Sequence, residues 1–98
     1  MSDAEIMELV KLDLGMSASA YNKLVEARIK SAKAAIKNEG INLIEGDDED
    51  SLLIADYAAF LHRDRKSKEG MPRSLRWRLN NRLLSKKNRK TEAGETNG

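Results

Sequence analysis

Apolar residues return at intervals of three and four along most of this chain, and that spacing fits a helical bundle. Ile6, Leu9, Val10 and Leu14 form one stripe. Tyr21, Val25, Ile29, Ala32 and Ile36 form a second, with Leu24, Arg28 and Ala35 widening it. Leu53, Tyr57, Phe60 and Leu61 form a third, flanked by Ile54 and Ala58, and Leu75, Leu79 and Leu83 form a fourth. Because a helix turns once in about 3.6 residues, each stripe occupies one side of its segment. Gly15, Gly40 and Gly70 separate the four stripes, at positions where a helix can close in left-handed backbone.

These signals predict a first helix from about Asp3 to Leu14, capped by Ser2 or Asp3, with Asp3 and Glu5 where the helix dipole favours negative charge. The second opens at Ser17 or Ser19 and runs to about Asn38. Residues 41–50 form a loop in which Ile41, Leu43 and Ile44 either extend briefly or anchor on the core. A third helix follows from about Asp50 to Lys66, its Ala58 and Ala59 allowing another helix to approach closely. The fourth starts at Pro72, a favoured first-turn residue, and covers PRSLRWRLNNRLLSKKN. The expectation is an all-α fold: a small bundle of about four helices in one domain over residues 1–88, with a disordered basic and polar C-terminal tail over 89–98.

Composition narrows the function. At 98 residues the chain supports one modest core and little space for a deep pocket. It has no cysteine, which excludes disulfides, thiolate metal sites and thiol catalysis. No apolar run approaches the ~20 residues of a membrane span, and the opening MSDAEIMELV is acidic rather than signal-like, so no membrane partner is expected. No phosphate-binding glycine loop, GxSxG or HExxH is present, and His62 stands among Arg63 and Arg65, surroundings that disfavour a proton or cation. The acidic run Asp47, Asp48, Glu49, Asp50 lacks EF-hand spacing and reads as helix capping and solvation. No enzyme activity, metal or cofactor is expected.

Charge is divided unevenly. Residues 1–60 carry 6 basic and 12 acidic side chains, whereas residues 61–98 carry 12 basic and 4 acidic ones. The basic half centres on the fourth helix, where Arg73, Arg76, Arg78 and Arg82 surround the leucine line, and Trp77 and Leu84 make a second apolar line. Three readings fit: a solvated face pairing with Asp47 to Asp50, a phosphate-contacting surface continued by Lys86, Lys87, Arg89 and Lys90, or a protein-assembly surface anchored by arginine and tryptophan.

The wording of the chain also resembles a family. ELVKLDLG, AYNKLVEARIKSAKAAIKNEGI, ADYAAFLHRDRK and above all GMPRSLRWRLNNRLLS are similar, in this order and spacing over about residues 6–86, to the small head–tail connector (adaptor) proteins of long-tailed bacteriophages and prophages. That resemblance implies a virion structural protein at the head–tail interface, assembled in the host cytoplasm. It implies a ring, usually twelve-fold, under the portal protein, which extends the DNA channel, docks stopper or tail proteins and has possible non-specific contact with packaged DNA. On the matched positions, Met71, Pro72 and Arg73 start the last helix, Leu75, Leu79 and Leu83 seat it, and Asn80, Asn81 and Arg82 form a polar contact cluster. The expected assembly interface is Arg73, Arg76, Trp77, Arg78, Asn80, Asn81 and Arg82. Glutamate at Arg76 or Arg82 is expected to weaken assembly and leave the monomer folded. The rival expectation is a small cytosolic helical DNA-binding regulator that uses the basic C-terminal helix.

Overall fold

A computed structural model describes residues 1–67 and 70–88, and the side chains of all of these except 66 and 67. The expected tail, 89–98, lies outside the described residues. Four α-helices carry the described chain: α1 (Asp3–Leu14), α2 (Asn22–Asn38), α3 (Asp48–Ser67) and α4 (Arg73–Leu84). A 3-10 turn at Ser19–Tyr21 leads into α2, and the described residues contain no strand.

Local chemistry accounts for the helix ends. At the start of α1 the Ser2 hydroxyl accepts from the Glu5 N–H at 3.2 Å, and the Glu5 carboxylate accepts from the Ser2 N–H at 2.9 Å. This reciprocal box satisfies two backbone donors that helix geometry leaves open. The bonds from Ser2 also hold the Glu5 carboxyl below the ordinary carboxylate range. α1 stops at Gly15, at φ 70°, where the N–H of Met16 returns to the Lys11 carbonyl at 2.8 Å. α2 stops in the same way at Gly40, at φ 97°, with Ile41 N–H bonding the Ile36 carbonyl at 3.4 Å. A Cβ on Gly40 would stand 3.4 Å from Leu83 Cδ1, so this turn lies against the edge of α4. At the start of α3 the Asp47 carboxylate caps the Asp50 N–H at 3.0 Å.

The core lies where α3 touches each of the other three helices. Ile6 and Val10 enter from α1, Val25, Ile29, Ala32 and Ile36 from α2, Leu53, Ile54, Tyr57 and Ala58 from α3, and Leu75 and Leu79 from α4. Ala32, Ala58 and Ala59 are fully buried, the small side chains that permit close helix contact. Ile41 is buried too, so the loop after α2 anchors on the core and does not form a strand. Tyr57 meets Phe60 edge-on, ring centres 5.8 Å apart, and burial pushes the Tyr57 hydroxyl above its ordinary pKa.

Several expectations need correction. Tyr21 stays 42 % exposed in the 3-10 turn and does not join the α2 stripe. α4 ends at Leu84 and does not continue through Asn88, because Ser85 is extended at ψ 160°. Trp77 is 66 % and Leu84 76 % exposed, so the second apolar line of α4 faces outward. Arg82, grouped with the wet arginines, is buried.

Candidate functional site

α4 is seated by Leu75 and Leu79, both buried, with Leu83 packed at their edge. Helical spacing puts Arg82 on that same side, three residues beyond Leu79 and seven beyond Leu75. Its guanidinium donates to both Asp50 carboxylate oxygens, from Nε at 2.6 Å and from Nη2 at 2.9 Å. It also reaches the Asn42 carbonyl at 2.6 Å and the Ser85 hydroxyl at 3.3 Å. Asp50 is itself fully buried and accepts a further bond from the Ile44 N–H at 2.8 Å. The pair therefore ties the end of α4, the start of α3 and the loop between α2 and α3 together. Hydrogen bonding to Asp50 raises the Arg82 pKa above its ordinary value.

Two more of the arginines are also occupied within the chain. Arg76 holds Glu39 through two bonds of 3.1 Å, and Arg78 donates to Asp56. Below the helix, Lys87 meets Asp47 at 2.9 Å and Glu49 at 3.3 Å. That contact lowers the Asp47 pKa and raises that of Lys87. Asn88 completes the clasp: its side-chain oxygen accepts from Asn42 N–H at 2.6 Å, and its amide donates to the Gly40 carbonyl at 3.2 Å. The acidic and basic halves of the sequence thus meet inside one molecule.

Within the acidic run, ligand oxygens of Asp47, Glu49 and Asp50 lie within 4.8 Å of one another. Each of these carboxylates already faces a cation of the same chain, Lys87 or Arg82. The arrangement is an internal ion-pair network and a helix cap.

What α4 leaves outward is narrower than the basic face expected. Arg73, Trp77, Asn80, Asn81 and Leu84 are exposed, at steps of three and four along the side opposite the leucines. Trp77 and Asn81 also edge a shallow groove of about 270 Å³ that runs to Glu49. Arg73 has no ion-pair partner among the described residues and sits in the first turn, where the helix dipole disfavours a cation. Of the seven expected interface residues, Arg73, Trp77, Asn80 and Asn81 share this open face. Arg76 and Arg78 lie half-buried in their ion pairs, and Arg82 is interior. Leu84 belongs to the face and was not among the seven. The face offers an indole, an isobutyl group, two amides and a guanidinium, which suit burial and hydrogen bonding against another surface.

One exposed feature was missed altogether. Lys23, Lys30 and Lys37 stand seven residues apart on the outer side of α2, a row that the sequence reading did not single out. The repeat of seven was the available signal.

No protein-family model, curated protein or solved structure matches the chain.

Proposed function

We propose that this chain is a non-enzymatic assembly subunit of the head–tail connector kind, docking on a portal ring and on neighbouring tail proteins through the outward face of α4. One observation carries the reading: Trp77 and Leu84 are 66 % and 76 % exposed beside Arg73, which has no ion-pair partner among the described residues, on a helix whose other side packs on the core. Folding gains nothing from leaving an indole and a leucine in water, whereas tryptophan and arginine are the side chains that anchor interfaces. The helix is 12 residues long, so its open side spans about 18 Å. A face of that size suits one contact among several in a larger assembly. The resemblance of GMPRSLRWRLNNRLLS to the last helix of connectors supplies the partner class.

Trp77 is the chain's single tryptophan, so its fluorescence reports this face alone. The test mixes the full chain with the portal oligomer of the phage or prophage that encodes it and follows sedimentation and emission together. Co-sedimentation with a blue shift of the indole is the expected result for the unaltered chain, and affinity read by sedimentation is expected to fall at least tenfold in Trp77→Ala. Unchanged binding in that variant would remove α4 from the reading. Tight, sequence-selective binding to duplex DNA without portal binding would favour a regulator instead.

A further inference from the structure

Not all of the free cations among the described residues lie on α4. With Arg76, Arg78, Arg82 and Lys87 engaged by carboxylates, three of the cations left without an ion-pair partner among the described residues are Lys23, Lys30 and Lys37. All three are exposed on α2. Intervals of seven residues repeat a helix face almost in register, so the three ammonium groups form one row about 21 Å long, with about 10 Å between neighbours. Ala27 and Ala34, also exposed, lie between them and leave the row low and unobstructed. The buried side of α2, Val25, Ile29, Ala32 and Ile36, lies more than a quarter-turn away, so the row faces outward from the bundle. Glu26 and the Lys33–Asp3 pair, at 3.2 Å, stand on one shoulder of the row.

We infer that the outer face of α2 is a docking surface for the phosphate backbone of duplex nucleic acid, bound without regard to sequence. A straight, evenly spaced row of point charges matches a polymer whose own charges repeat regularly. Lysine holds a phosphate as a point charge and does not impose the paired geometry by which arginine reads a base edge. An anionic membrane fits less well: an interfacial helix inserts apolar side chains beneath its cations, and those of α2 are spent on the core. This inference goes beyond the assembly reading and does not rest on it, since no residue of α4 takes part.

The test is fluorescence anisotropy of a labelled mixed-sequence duplex titrated with the full chain over a range of salt. Three lysine–phosphate contacts give a plot of log affinity against log salt with a slope of about −3. The pair Lys30→Gln/Lys37→Gln is expected to reduce that slope by about two and to weaken binding about tenfold at low salt. A charge-matched pair elsewhere, Arg65→Gln/Lys86→Gln, is expected to change neither, and a second duplex of unrelated sequence to bind equally well. Equal losses in the two pairs would show that affinity follows net charge and would overturn the assignment. So would undetectable binding by the unaltered chain at low salt, a strong preference between duplexes, or tighter binding to anionic vesicles than to DNA. Circular dichroism of each variant separates loss of binding from loss of fold.

Discussion

Arg82 and Asp50 show how much one pair of side chains can decide. Both are interior, and two charges withdrawn from water are tolerated only when their remaining hydrogen-bonding positions are filled. The Asn42 carbonyl, the Ser85 hydroxyl and the Ile44 N–H fill them here. Arg82→Met is therefore expected to lower unfolding free energy by about 3–5 kcal/mol, because it strands the Asp50 carboxylate. Asp50→Leu combined with Arg82→Met is expected to cost clearly less than the sum of the single changes, as measured by urea denaturation in a double-mutant cycle. The same geometry corrects the expectation for Arg82→Glu, which would set two carboxylates together in the interior and damage the monomer itself. Trp77→Ala, by contrast, is expected to stay within about 0.5 kcal/mol of the unaltered chain, since it removes an exposed side chain. Both outcomes were partly legible: Arg82 falls on the leucine side of its helix, and Trp77 falls opposite. Chemical type, a cation taken as wet, concealed what spacing said of Arg82.

Among the elements, the turn after α4 is expected to respond to pH at two limits. Lys87 and Asn88 hold it against the loop that follows α2 and the cap of α3. The folded Asp47 carboxyl is held below its ordinary pKa, so its contribution is complete above the ordinary carboxylate range and lost as pH falls through the lower folded value. The folded Lys87 ammonium is held above its ordinary pKa. Its contribution is therefore complete below the ordinary lysine range and lost as pH rises through the folded value. The turn is expected to stay docked between these limits, with the Asn42 amide resonance moving at both. In Lys87→Gln the alkaline change should vanish, and a resonance still moving there would show that Lys87 does not hold the turn. Neither contact was legible in the sequence. Asp47 lies 40 residues from Lys87, and only the packing of α4 on α3 brings them to 2.9 Å. Sequence reading also extended α4 through this turn, since nothing local to SKKN breaks a helix as firmly as the tertiary contacts of Asn88 do.

At the scale of the molecule, a core shared by all four helices should unfold as a unit. Ile36→Ala, at a fully buried position, is expected to cost about 2–5 kcal/mol and to shift the whole helical transition without splitting it, as followed by circular dichroism in denaturant. The sequence by itself determined the helical class, the number of helices, most of their ends and most of the core. Those features follow from periodicity, from Ser2 and Asp47 as caps and from Gly15 and Gly40 as stops, all of which act over a few neighbouring residues. Tertiary structure alone decided which charges stay free. Opposite charges far apart in the chain meet only once helices have packed, and the packing that buried Arg82 and engaged Arg76, Arg78 and Lys87 left Arg73 open on α4 and the lysine row open on α2. A count of charges along the chain places the basic surface on the last helix; the folded molecule divides it between two helix faces, because an ion pair within the chain cancels what the count adds.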